Sequence, residues 1–277
     1  VVGRGQADAP RTGAGVGRQR LAALVQQPVT TGIVEGSVDP PHNRLAGDRL
    51  HLKITAKGFA PAAGTLNTHG LNLRAGRRHS TLYVVGHGAR EAIEVFDVDA
   101  TGERPALTWR GCVPMPEGVA ANSVASFTDG SPVATVLTMP GKTFADSVAK
   151  RPTGAVYEWS PGKHGFTLIQ GSELPGNNGI EVSKDGREMF VVSSGFQTIV
   201  VMSRSNPTKQ LRTTEQLPFT PDNVHMGADG RLLTAGMKND VPACGGAPGP
   251  QHDLAKLSTC PRGAIGMAID PATMKTT

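Results

Sequence analysis

Short runs of β-branched and apolar residues alternate with polar turn residues along most of the chain. Such runs predict strands. They cover residues 50–55, 81–86, 92–98, 133–138, 155–159, 166–169, 188–193, 198–202 and 231–235. Helical periodicity is confined to residues 19–26, a segment too short to organise a fold. The pattern therefore predicts an all-β protein.

A repeat lies inside this pattern. In each copy an asparagine precedes an Asp-Gly pair, and a strand follows; the copies are residues 122–130, 178–186 and 223–230. An Asp-Gly pair favours a two-residue hairpin turn with positive φ, so each copy predicts strand, turn and strand. The Asp residues at 129, 185 and 229 are 56 and 44 residues apart, close to the roughly 40 to 50 residues of one four-stranded propeller blade. The repeat predicts a β-propeller.

Composition limits the domain organisation and the partners. A chain of 277 residues with 38% hydrophobic and 18% charged residues can form one large β-rich domain. We expect residues 31–277 to form the propeller, and residues 1–30, which are rich in arginine and glycine, to be a basic, poorly ordered leader or a degraded first blade. The net charge of +5 is combined with only 4% aromatic residues, which disfavours a nucleic-acid partner. No apolar run is long enough for a transmembrane helix, and the oligomeric state is left undetermined.

The chain contains three cysteines, Cys112, Cys244 and Cys260, and no Cys-x-x-Cys motif. Cys244 and Cys260 flank a Gly/Pro-rich stretch, whose conformational freedom a disulfide would restrict. We interpret them as a disulfide pair, which favours a secreted or periplasmic protein. The alternative is a pair of free thiols in a cytoplasmic protein.

The asparagines of the repeat are candidate metal ligands. The inner strand of each propeller blade begins near the central channel, so Asn122, Asn178 and Asn223 are expected to converge there, with Asp222 beside the last. Amide and carboxylate oxygens are the ligands that Ca²⁺ prefers. The alternative for any single asparagine is turn chemistry, in which its side chain caps the local backbone.

Two histidines belong to a fourth copy of the repeat. Residues 68–73 place His69 where the other copies have asparagine, and the following strand ends just before His87. Histidine is the side chain best suited to exchange protons near neutral pH. Taken alone, His69 has the alternative of a packed or surface histidine.

These motifs resemble those of a known family. Residues 68–71, Thr-His-Gly-Leu, resemble a Pro-His-Gly-Ile motif, and residues 83–87, Tyr-Val-Val-Gly-His, resemble Leu-Val-Val-Asn-His. Residues 178–180, Asn-Gly-Ile, and 222–224, Asp-Asn-Val, complete the set. The family is the paraoxonase-like lactonases and arylesterases, six-bladed calcium-dependent β-propellers related to the gluconolactonase and senescence-marker-protein group. The resemblance extends from about residue 58 to residue 271.

The resemblance implies an ester hydrolase that acts on small lactones and aryl esters. His69 and His87 would form the catalytic dyad that activates water. Ca²⁺, held by the side chains of Asn122, Asn178, Asp222 and Asn223, would stabilise the oxyanion. The resemblance also implies a six-bladed propeller, whose first and last blades we expect to be incomplete.

Some family features are not matched. Ser123 stands where the family has an aspartate for a second, structural calcium, and an acidic calcium ligand from the first blade is not placed. One alternative is therefore a non-catalytic, calcium-stabilised propeller that serves as a binding platform. Another is a lactone hydrolase of sugar acids, which would not require the histidine pair.

Overall fold

The computed structural model describes residues 66–76, 79–101, 105–239, 242–244 and 260–277. The predicted leader at residues 1–30, its boundary with the propeller domain and the predicted strand at residues 50–55 lie outside these ranges. The described residues are nearly all β. They form β1 (Thr68–Arg74), β2 (Ser80–Gly86), β3 (Ala92–Asp99), β4 (Ala106–Pro114), β5 (Ser123–Ser126), β6 (Pro132–Val136), α1 (Phe144–Val148), β7 (Ala155–Glu158), β8 (Thr167–Leu168), β9 (Asn177–Val182), β10 (Glu188–Ser193), β11 (Thr198–Ser203), β12 (Gln210–Thr213), β13 (Phe219–Met226), β14 (Leu232–Lys238), a 3₁₀ turn (Pro242–Cys244) and β15 (Ala264–Ile269).

The strands form four antiparallel sheets, in each of which neighbours in sequence are neighbours in space. The sheets are β1 to β4, β5 to β8, β9 to β12, and β13 to β15. The first strand of each sheet lies beside the first strand of the next, so that β1, β5, β9 and β13 form an inner layer. This is the arrangement of β-propeller blades. A propeller is confirmed and four blades are described, while the total of six blades stays a prediction.

Apolar side chains lie between the faces of neighbouring sheets and form the core. The largest fully buried ones are Trp159, Tyr83, Phe127, Phe190 and Phe219. β-branched and apolar runs such as residues 188–193 are buried along almost their whole length because both faces of a blade are covered by its neighbours.

The Asp-Gly turns confirm the repeat but correct the turn type. The backbone N–H of Phe127 donates to the carbonyl of Ser131 (2.9 Å), so three residues, not two, form the loop. Gly130 has a positive φ of 87°, whereas Asp129 keeps a negative φ and accepts a hydrogen bond from the Ser131 N–H (2.8 Å). A type I turn followed by a left-handed glycine needs positive φ at one position only. The turns at Gly186 and Gly230 also place only the glycine at positive φ.

Arg204 links two blades. It follows β11, and its guanidinium lies 3.6 Å from the centre of the Phe127 ring. The same group donates to Asp129 (3.1 Å) and Glu158 (2.6 Å), both in the preceding blade. A cation over an aromatic ring with two carboxylate partners stabilises this seam between sheets.

The helix and the cysteines complete the description. Thr143 caps α1, since its hydroxyl accepts from the Asp146 N–H (3.2 Å) and the Asp146 carboxylate accepts from the Thr143 N–H (2.9 Å).

The predicted disulfide between Cys244 and Cys260 is confirmed. Cys112 is a buried free thiol, and burial raises its pKa to about 11. Within the described ranges, no helix has the length and apolar character needed to cross a membrane.

Candidate functional site

The hairpin of β1 and β2 brings the two predicted histidines together. Thr68 pairs with Gly86, so His69, at the start of β1, lies beside His87, directly after β2. The Nδ1 atom of His69 lies 3.1 Å from Nε2 of His87, a hydrogen-bonding distance. The ring centres are 5.3 Å apart, with the ring planes inclined at 60°. His69 is exposed, whereas His87 is partly buried behind it.

Glu91 extends this pair and was missed by the sequence analysis. Its Oε2 atom lies 2.8 Å from Nδ1 of His87, and the residue directly precedes β3. His87 and Glu91 lie four residues apart in a connection between strands, where no regular periodicity predicts a contact. The only sequence signal is an acid close to a candidate histidine, which is common by chance.

A buried ion pair holds this connection in place. Glu94 in β3 is 1% exposed and accepts two hydrogen bonds from the guanidinium of Arg90, at 2.8 and 3.0 Å. The indole N–H of Trp109 donates to the same carboxylate at 2.7 Å. The backbone carbonyl of Glu91 also accepts from the Met115 N–H at 3.0 Å. The backbone on either side of Glu91 is thereby anchored to the blade.

The surroundings of His69 favour its neutral form. Burial of part of the ring, and then the neighbouring His87, lower the pKa of His69 from its ordinary value of 6.5. The negative charge of Asp222 opposes this shift without cancelling it. The lowered pKa favours the neutral ring, and a neutral imidazole has one nitrogen able to accept a proton.

The predicted calcium ligands lie on, or directly before, three neighbouring inner strands. Asn122 precedes β5, Asn178 lies in β9, and Asp222 and Asn223 lie in β13. Convergence of their side-chain oxygens on one point stays a prediction. The negative charge of Asp222 acts on His69 and raises its pKa.

Two glycines let the inner strands approach one another. The N–H of Gly70 donates to the carbonyl of Asn122 (3.2 Å), and a Cβ at Gly70 would lie 2.5 Å from that oxygen. A Cβ at Gly179 would lie 2.7 Å from the carbonyl oxygen of Asp222. Both distances are too short for a real side chain. Glycine directly after His69 and directly after Asn178 therefore allows β1 to contact the start of β5, and β9 to contact β13.

The side chain of Asn178 fits a cation site. Its Oδ1 atom is buried and accepts no hydrogen bond from the described residues, while its amide donates weakly to Ser194 Oγ at 3.3 Å. A buried oxygen without a donor costs about 1 to 3 kcal/mol, and a hard cation is a natural partner for it. The described residues contain no group of three or more His, Cys, Asp or Glu side chains placed to hold a metal ion; the candidate set comprises three amides and one carboxylate.

Comparisons with known proteins give distant structural similarities. No family model matches the chain, and no curated protein matches it. One similar solved structure is a luciferin-regenerating enzyme, with 13% sequence identity, 76% of this chain and 60% of that chain covered, and a TM-score of 0.43. Another is a streptogramin B lyase, with 12% identity, 76% of this chain and 53% of that chain covered, and a TM-score of 0.40. A protein from Bacteroides uniformis assigned as a 6-phosphogluconolactonase is also similar, with 13% identity, 78% of this chain and 54% of that chain covered, and a TM-score of 0.41. The chain spans less than two thirds of each of these structures. The relationship to the paraoxonase-like family stays a prediction from the sequence motifs.

Proposed function

We propose that the protein is a calcium-dependent hydrolase of lactones and aryl esters, that is, a carboxylic ester hydrolase. The observation that carries this proposal is the hydrogen-bonded pair of His69 and His87, in which the outer ring is exposed and the inner ring is held from behind. Such an arrangement suits an outer base that meets water and an inner group that orients it.

The mechanism begins with a proton transfer. Neutral His69 accepts a proton from a water molecule as the water oxygen attacks the ester carbonyl carbon. The contact with His87 fixes the ring orientation, and the lowered pKa of His69 keeps the base unprotonated at neutral pH. When the C–O bond to the leaving alkoxide breaks, His69 returns the proton to that oxygen. For a lactone, both product groups stay in one hydroxy acid.

Asn122, Asn178, Asp222 and Asn223 would hold the calcium ion. When bound there, the ion would supply Lewis-acid polarisation of the substrate carbonyl and stabilisation of negative charge on its oxygen. Asp222 is the one carboxylate among these four residues, so together they neutralise only half the charge of a divalent cation. This suits an electrophilic role better than a purely structural one.

The compartment follows from the same proposal. Outside the cytoplasm calcium is abundant. A disulfide such as that between Cys244 and Cys260 also persists there. We place the protein in a secreted or periplasmic location.

The test is a panel of phenyl esters and lactones of several ring sizes, assayed with calcium and with a chelator. We expect hydrolysis that needs calcium. Replacing His69 by Gln should lower kcat about 10²- to 10⁴-fold, because the base is removed, while calcium binding is retained. His164→Gln, which changes an exposed histidine in another blade, is the matched control and should keep the parent rate.

Two results would contradict the proposal. A His69→Gln variant with the parent rate would remove the histidine from the mechanism. If no substrate of the panel is hydrolysed while calcium still raises the melting temperature, the protein is a calcium-stabilised binding platform instead.

A further inference from the structure

We propose that Glu91 is a positioning residue that selects the tautomer of His87 and, through it, the tautomer of His69. The inference rests on the proposed function for its catalytic meaning, but the tautomers themselves are a property of the protein alone. The three side chains form one hydrogen-bonded chain, with Glu91 at one end and the exposed ring of His69 at the other.

The first step concerns His87. An ionised carboxylate has no proton to donate, so the 2.8 Å contact between Glu91 Oε2 and His87 Nδ1 requires the proton to reside on Nδ1. In neutral His87 the lone pair is then on Nε2. The side chains of Glu91 and His87 are 38% and 22% exposed, so the carboxylate lies closer to solvent than the ring that it contacts.

The second step concerns His69. Its Nδ1 atom lies 3.1 Å from His87 Nε2, and one of these two nitrogens must be the donor. Because Glu91 makes His87 Nε2 the acceptor, His69 carries its proton on Nδ1. The lone pair of His69 is therefore on Nε2, the nitrogen not engaged by His87. This is the atom that can take a proton from water.

Without Glu91 the opposite arrangement would be equally available. His87 could carry its proton on Nε2 and donate it to Nδ1 of His69, which would place the His69 proton on Nε2 and leave no lone pair for water. A histidine held in the wrong tautomer is a poor general base, and the rate falls even when the position of the ring is unchanged. Glu91 thus acts on the base through His87 without touching the substrate.

The same chain gives the proton a defined route. The water proton goes to His69 Nε2, and the Nδ1 proton of His69 can pass to His87 Nε2. The positive charge then lies on His87, next to the Glu91 carboxylate, and the reverse transfers return the proton to the leaving oxygen. No oxidant or further reactant is needed. The anchoring of Arg90 to buried Glu94 holds the connection so that this geometry persists.

The test compares the parent protein with Glu91→Gln, Glu91→Asp and the control Glu215→Gln, which changes an exposed glutamate. Imidazole ¹⁵N chemical shifts in histidine-labelled protein report which nitrogen of each ring is protonated, and spectra of His69→Gln and His87→Gln assign the two rings. We expect the parent and the control to show protonated Nδ1 in both neutral rings. Glu91→Gln should show a mixture, because an amide can accept or donate, and Glu91→Asp should restore most of the parent pattern.

Activity provides the second readout. Glu91→Gln should lower kcat about 10- to 100-fold, the usual effect of losing an outer partner of a functional histidine, with KM little changed. Parent-like ¹⁵N shifts in a folded Glu91→Gln variant would overturn the inference. If the parent hydrolyses none of the esters or lactones, the proposed function fails, while the ¹⁵N spectra still decide whether Glu91 selects the tautomers.

Discussion

Asn177 and Asn178 are adjacent in sequence but have opposite roles. Asn177 is fully buried, and both ends of its amide are satisfied: Oδ1 accepts from the Leu174 N–H (2.9 Å) and Nδ2 donates to the Ser172 carbonyl (2.9 Å). Asn178 has a buried Oδ1 atom with no donor among the described residues. Asn177 completes the backbone hydrogen bonding, whereas the Oδ1 atom of Asn178 lacks a donor among the described residues, as the proposed role of a calcium ligand requires.

This contrast predicts opposite effects of two alanine substitutions. Asn178→Ala should weaken calcium binding at least about tenfold, because a ligand is lost, but should change metal-free stability by less than about 1 kcal/mol, because no strong hydrogen bond is removed. Asn177→Ala should lower the free energy of unfolding by about 2 to 3 kcal/mol and leave calcium affinity almost unchanged in the folded protein. Calorimetric titration and urea unfolding in chelator measure both quantities. Equal effects on calcium affinity would refute the assignment.

The pKa of His69 predicts the pH dependence of catalysis. Burial and His87 lower this pKa below 6.5, while Asp222 acts in the opposite direction. As the proposed base, His69 can act only when neutral, so activity should be full above the pKa and fall as the pH drops through it. With calcium saturating, we expect the acid limb of kcat to have its midpoint below pH 6.5. A midpoint above this value would show that another group controls the rate.

At the scale of secondary structure, the sequence predicts most strands well. Residues 188–193 coincide with β10, because apolar residues buried on both faces give a continuous run that polar turn residues interrupt. β4 was missed. Its register with β3 shifts between Val95 and Phe96, and Gly111 lies inside it, so neither alternation nor an apolar run marks this strand clearly.

Strand pairing made the histidine pair predictable from the sequence, but it does not predict the position of Glu91. His69 and His87 lie at the same end of one hairpin, so correct strands suffice to bring them together. The position of Glu91 depends on how the connection from β2 to β3 folds. That conformation is set by contacts such as Trp109 to Glu94, which join different strands and leave no local pattern in the sequence.

For the whole molecule, Arg204 is expected to couple the stability of two blades. It contacts Phe127, Asp129 and Glu158 of the neighbouring sheet and is 28% exposed, so solvent weakens the ion pairs only in part. Arg204→Met should lower the free energy of unfolding by about 1 to 3 kcal/mol. Arg187→Met is the control: this side chain is 85% exposed and, among the described residues, its ion pair is with Asp185 at 3.8 Å. Similar urea midpoints for the two variants would show that the seam does not depend on Arg204.

The close approach at Gly70 and Gly179 has a consequence for how this site can diversify. The backbone of one inner strand meets the backbone of the next at these positions, so the spacing around the channel is set by main-chain contact rather than by side-chain size. Directed evolution of the proposed activity toward bulkier substrates would therefore find almost no tolerated substitutions at residues 70 and 179. Substitutions and insertions are better tolerated in the connections between strands, such as residues 137–154 between β6 and β7. Such changes can alter the length and the side chains of a connection while the inner strands keep their positions.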